Sequence, residues 1–199
     1  MKKHIVFALL CVLFLVGCSN PDPKEYNLSI GNGVLKEPPE LTVVRHDTTV
    51  VATKGTSSWM YENEDGTSMC VESDSIHPLQ AKEYMSPLYL RPSTYSRIDP
   101  NTAYLQWESE PDTVNVRVWS EECWGNYDDP GEDISAEALV IDLEHHDDGT
   151  FVVDYMISLK DGNYIYEVVA EWNSSQNYGG VVHYGFYTIK PELKIIPIE

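Results

Sequence analysis

Beyond the first forty or so residues the chain carries short runs in which apolar and polar side chains alternate in steps of two. In "DTVNVRVW" Val114, Val116 and Val118 fall on one face and Asn115 and Arg117 on the other, as in a strand with one buried side. "YIYEVVAEW" repeats the pattern, with Tyr164, Tyr166, Val168, Ala170 and Trp172 against Ile165, Glu167, Val169 and Glu171. "VVHYGFYTI" sets Val182, Tyr184 and Phe186 against Val181, His183 and Tyr187. Shorter β-branched and aromatic runs at 103–107, 139–143 and 151–159 complete the set, and only "LQAKEYM" (79–85) has room for one or two helical turns. Between the runs stand Asp65-Gly66, Asp148-Gly149 and Asp161-Gly162, a pair favoured where both central residues of a hairpin turn need positive φ. Many short strands, frequent turns and no interleaved helices predict an all-β antiparallel sandwich of immunoglobulin-like type. Within it, Gly162-Asn163-Tyr164 stands where a tyrosine corner would open the penultimate strand. The hairpin "SSWMYENEDGTSMCVES" (57–73) is an N-terminal addition that extends an edge or caps one end.

The first residues break this pattern. Lys2 and Lys3 precede an apolar run from Ile5 to Val16, the layout of an export signal. A helix of about a dozen residues rises about 18 Å, well short of the roughly 30 Å hydrocarbon core, so the run is no membrane span. It closes on Leu15-Val16-Gly17-Cys18, which resembles a bacterial lipobox. The expected organisation is a signal peptide at 1–17, a Pro-, Asn- and Gly-rich tether at 18–40 and one sandwich domain at 41–199. Cys18 would carry the acyl chains, palmitate among them, that hold the protein to the bilayer on the extracytoplasmic face.

The formal charge of −19 becomes more negative still once Lys2 and Lys3 leave with the signal. Such a surface repels phosphate backbones, which excludes nucleic acid as a partner. Cysteine usage narrows similarly: with Cys11 in the signal and Cys18 acylated, Cys70 and Cys123 remain. In an extracytoplasmic setting they either form a disulfide closing a loop of about 50 residues, worth about 3 to 4 kcal/mol in the chain-entropy account, or stay as thiols.

Candidate chemistry is sparse. "YENEDGTSMCVE" (61–72) has the glycine and the final glutamate of a calcium loop, but Tyr61 replaces the first carboxylate and the flanks are strand-like, so the hairpin reading prevails. Asp128, Asp129, Glu132 and Asp133 in the acidic loop 120–135 would be the ligands of a calcium ion; a solvated loop is the plainer reading. His145 and His146 point to opposite sides of a strand and cannot readily share one ion. Asp74, Ser75 and His77 contain the groups of a hydrolytic triad, yet sequence neighbours seldom face one another, and the chain has no zinc-peptidase, acyl-serine or phosphate-loop motif. Aromatic residues are the remaining resource. Trp119, Trp124 and Tyr127 crowd one region, and as an exposed patch they would stack on sugar rings or anchor a protein.

"KGTSSW", "SIHPLQ", "PDTVNVRVW", "CWGN", "YIYEVVAEW" and "YGFYTIKP" together resemble an uncharacterised family of Firmicutes extracellular lipoproteins, similar also to the extracellular C-terminal segment of some membrane metallopeptidases of the β-lactam-sensor type. The resemblance implies an accessory domain outside the membrane that senses or docks, and it brings no zinc activity, since the metallopeptidase part would be a separate membrane region. The expected function is therefore a lipid-anchored sandwich that binds an extracellular protein or glycan without catalysis. The alternatives are an envelope-polymer hydrolase using loop carboxylates and a structural calcium-bound module.

Overall fold

The computed structural model describes residues 34–46, 48–90, 102–125, 137–140, 153–173 and 177–190. The strands in chain order are β1 (Thr42–Arg45), β2 (Thr48–Val51), β3 (Thr53–Glu62), β4 (Ser68–Ser73), β5 (Ser86–Tyr89), β6 (Thr102–Trp107), β7 (Thr113–Ser120), β8 (Glu137–Val140), β9 (Val153–Ser158), β10 (Tyr164–Trp172) and β11 (Tyr178–Ile189). One sheet has the order β2-β1-β6-β9; the larger has the order β4-β3-β11-β10-β7-β8, with β5 added beside β11. The expected all-β sandwich is present. One pairing departs from the antiparallel rule, because β5 runs parallel to β11 from Ser86 opposite Phe186 to Tyr89 opposite Ile189. Among the described residues no helix is long and apolar enough to cross a membrane.

The inward faces are those the alternation marks. Val114, Val116 and Val118 of β7, Tyr166, Val168 and Ala170 of β10, and Val182, Tyr184 and Phe186 of β11 are all buried against Leu41, Val43, Ala103, Leu105, Tyr155 and Ile157 of the smaller sheet and its flanks. An aromatic seam joins the two layers. Trp59 meets Trp172 edge-on at 5.4 Å and stacks on Tyr178 at 5.8 Å, while Trp107 meets Tyr155 at 5.3 Å and Trp172 at 6.3 Å. Buried tyrosine hydroxyls find backbone partners, as burial demands. Tyr155 donates to the Pro111 carbonyl at 2.8 Å, and Tyr184 donates to that of Pro39 at 2.7 Å.

Several sequence expectations are corrected in detail. The hydroxyl that reaches back upstream at the start of β10 is that of Tyr166, which accepts the Lys160 N–H at 2.8 Å; Tyr164 lies half-buried instead. Residues 79–85 form no α-helix but two 3-10 turns, Pro78–Gln80 and Lys82–Tyr84. The β3-β4 hairpin turns through Glu64, Asp65 and Gly66, with only Gly66 at positive φ (80°), so the Asp-Gly pair serves a three-residue loop. The Asp65 carboxylate is taken by Thr67, accepting from its N–H at 2.9 Å and its hydroxyl at 2.6 Å. Residues ahead of position 41 also contact the sandwich. The Leu35 carbonyl accepts the Trp59 indole N–H at 2.9 Å, and the Pro38 carbonyl accepts from Lys54 Nζ at 2.6 Å.

The Cys70–Cys123 staple is not formed. Cys70 is an exposed thiol on β4 and Cys123 a half-buried thiol in the 3-10 turn Glu121–Cys123 that follows β7. β4 and β7 lie four strand spacings apart in the sheet order, about 19 Å, against the roughly 7 Å limit between bridged Cα atoms.

Candidate functional site

The outward face of the larger sheet is not wholly polar. Ile165 and Val169 point outward from β10 on either side of Glu167, and Ile165 pairs across the sheet with Trp119 of β7 and Tyr187 of β11. Apolar outward positions need a cover, and residues 76–85 supply it. Leu79, Ala81 and Met85 bury against Trp119 and Ile165, forming a second, smaller core flanked by Cys123, Trp124 and Tyr187. Met85 can sit this close because residue 185 is glycine: a Cβ there would stand 2.7 Å from the Met85 sulfur.

The cover is pinned at both ends. Trp124 Nε1 donates to the Pro78 carbonyl at 3.3 Å, Gly125 N–H donates to that of Leu79 at 3.1 Å, and Lys82 Nζ meets Glu121 Oε1 at 2.9 Å while lying 3.8 Å over the Trp124 ring. Lys82 and Asn163 hydrogen-bond the Glu121 carboxyl and hold it below the usual carboxylate range. At the other end Thr53 Oγ1 donates to the Tyr84 carbonyl at 2.9 Å, and Ser75 N–H donates to Thr56 Oγ1 at 3.3 Å.

Between cover and sheet lies a cavity of about 750 Å³, located where β3 leaves β11 at Gly185 and β5 takes over at Phe186. Its floor is built on Glu167, which is 2% exposed. Glu167 stands directly opposite Arg117 and one diagonal step from His183. His183 Nδ1 lies 2.9 Å from Glu167 Oε1, and Arg117 Nη1 lies 3.4 Å from Oε2. Burial alone would push the Glu167 carboxyl up. The His183 hydrogen bond and charge, with the charges of His77 and Arg117, outweigh that and hold it below its ordinary value. An ionised carboxylate only accepts, so the imidazole Nδ1 carries the proton toward Glu167. His183 also faces an irregularity in β3. The register slips between Val182, opposite Ser57, and Tyr184, opposite Lys54, so that Gly55 and Thr56 together oppose His183 alone. A bulge of this kind re-aims side chains beside it.

His77 enters from the cover. Its ring meets Trp119 edge-on at 5.4 Å, and its Nδ1 accepts the Leu79 N–H at 3.2 Å. Burial holds His77 below the usual histidine value, against the pull of Glu167 and with the help of the Arg117 and His183 charges. Ser75 and His77 both line the cavity, but Asp74 does not, and the bond from Leu79 occupies the ring nitrogen that a triad would turn to its carboxylate. These three residues are therefore not assembled as a triad.

The structure places the aromatic candidates differently from an exposed patch. Trp119 is 5% exposed and belongs to the second core, while Trp124 packs edge-on against Tyr187 at 5.2 Å beneath Lys82. Both are used to hold the cover down. Tyr127, the proposed calcium ligands Asp128, Asp129, Glu132 and Asp133, the pair His145-His146 and the lipidation site Cys18 lie outside the described residues. The sequence reading missed Glu167, Arg117 and His183, which looked like solvent-facing polar residues. The signal was there in Ile165 and Val169, apolar residues flanking a glutamate on a face assigned to water. Compared with known proteins, the chain matches no family model, no curated protein and no solved structure.

Proposed function

We propose that this chain is a lipoprotein, tied to the extracytoplasmic membrane face through Cys18, whose sandwich domain binds a ligand in the cavity under residues 76–85 without transforming it. The observation that carries the reading is the Glu167 floor: a buried carboxylate that orients an arginine and a histidine inside a cavity of ligand size. Buried charged groups cost stability unless paired, and a pairing that leaves both partners partly exposed to a cavity favours recognition over mere packing. The lipobox-like junction, the acidic charge and the resemblance to extracellular lipoproteins support the location.

The test joins the two halves. Cys18→Ser expressed in a bacterium with a lipoprotein pathway should appear in the soluble fraction, and thermal-shift screening of the full chain in non-ionic detergent should find compounds whose stabilisation disappears in Arg117→Ala. Membrane retention of Cys18→Ser without labelled fatty acid on the wild type would remove the anchor. Compounds that stabilise wild type and Arg117→Ala equally would remove the site.

The alternative of a hydrolase gains one specific observation, since a histidine whose Nδ1–H is held by a carboxylate is oriented as a general base. Turnover of model esters or glycosides lost in His183→Ala would favour it over binding alone.

A further inference from the structure

We infer that the cavity takes a small ligand bearing a carboxylate or phosphate group, with the oxyanion seated between Arg117 of β7 and His183 of β11; this rests on the binding role proposed above. The first argument is charge. Across the whole chain Asp and Glu outnumber Lys and Arg by 32 to 13, yet the cavity lining holds a single carboxylate, Glu167, already matched to Arg117 and His183. A cationic ligand would meet these groups with nothing but an already paired acid to offset them. An anion meets a concavity whose one acid is already paired, in a strongly acidic protein.

Geometry supplies the second argument. Both oxygens of Glu167 face protein donors, Oε1 toward His183 and Oε2 toward Arg117, and the side chain is 3% exposed, so its charge is directed into the wall. Arg117 meets Glu167 through Nη1 alone at 3.4 Å, and its side chain is 49% exposed. The guanidinium carries five N–H donors in a planar fork matched to carboxylate and phosphate, so most of that fork remains on the cavity side. His183, with its Nδ1–H committed to Glu167, is 32% exposed and turns the rest of its ring to the same space, where in the imidazolium form Nε2 donates to an oxyanion. Glu167 is thus a positioning residue: it touches no ligand but sets the two groups that do.

The third argument is the remainder of the lining. Ile76, Tyr84 and Met85 give the cover side an apolar character suited to the body of a ligand whose charged end lies on the floor. The oxyanion could belong to a free small acid or to the terminus of a peptide, and the probes below separate these sources.

The experiment is calorimetric titration of the full chain in non-ionic detergent with inorganic phosphate, succinate and an N-acetylated dipeptide as both free acid and C-terminal amide. Binding of an acid should weaken by about tenfold or more in Arg117→Gln, as expected for a lost charge-assisted hydrogen bond. Arg117→Lys should recover only part of it, and His183→Gln should weaken it as well. Glu167→Gln, which removes the orienting charge without touching the ligand, should weaken the acids while circular dichroism and the unfolding transition show a folded domain. Preference for the dipeptide acid over its amide and over succinate would identify a peptide terminus as the source, whereas phosphate or succinate binding alone would identify a free small anion. If neutral or cationic compounds bind and the Arg117 variants abolish it, the anion assignment fails while the binding role stands. If all affinities are indifferent to Arg117 and His183, or no compound binds, both fall.

Discussion

Glu167 makes the clearest link between one residue's surroundings and a measurable property. Its carboxyl titrates below the ordinary value because His183, His77 and Arg117 outweigh the cost of burial. A carboxylate with a depressed folded-state value adds stability that is fully present above the unfolded value, about 4.3, and lost as pH falls through the folded one. Urea unfolding should therefore show wild type losing stability as pH drops below about 4, and Glu167→Gln losing less over the same range. At neutral pH the same substitution should cost about 1 to 3 kcal/mol, since His183 and Arg117 lose a charged acceptor. A second residue is constrained by space and by backbone conformation together. Gly180 has φ of 153°, and a Cβ there would stand 2.0 Å from the Ser58 carbonyl oxygen. Gly180→Ala should lower the unfolding free energy by about 2 kcal/mol or more, because β3 and β11 must separate to admit the methyl group. An unchanged denaturation midpoint would show that the two strands are looser than this contact requires.

At the scale of elements, the outer strand β4 and its neighbour β3 differ sharply although they form one hairpin. Every residue of β4 is exposed, whereas Trp59 of β3 is fully buried in the aromatic seam. Burial sets the energetic weight of a side chain, so Trp59→Ala should cost about 3 to 5 kcal/mol. Val71→Thr, directly across from it on β4, should stay within about 0.5 kcal/mol. Chemical denaturation of the two variants side by side checks this. The cover of residues 76–85 behaves as a third kind of element, with short 3-10 turns whose stability comes from Trp124, Tyr187 and Ile165 beneath them and not from helix propensity. Periodicity could not announce it, because a single turn offers no repeat to detect.

For the molecule as a whole, sheet order decides which distant groups meet. It separates Cys70 from Cys123 by the width of three intervening strands, so both thiols should react with a maleimide reagent under non-reducing conditions, Cys70 without denaturant and Cys123 more slowly. Mass spectrometry of the labelled protein counts them, and an unlabelled, cross-linked pair would overturn the correction. The same order brings β7, β10 and β11 side by side in one sheet, and so gathers Arg117, Glu167 and His183 from positions up to 66 residues apart onto one floor.

What the amino-acid sequence determines by itself is what depends on near neighbours. Alternation in "VNVRV", "YIYEVVAEW" and "VVHYGFY" chooses extended backbone and names the buried face, because side chains two apart share a side of a strand whatever the strand pairs with. Hence the sandwich and most of its core were legible. Which strand lies beside which, and so the parallel β5, the thiols left apart and the subtype of sandwich, depends on contacts between residues far apart in the chain, and a period-two pattern carries no record of them. The cavity depended on tertiary structure most of all. Only when residues 76–85 fold back over Ile165 and Trp119 does an outward-facing glutamate become a buried one, and only then do its two partners acquire a space to face.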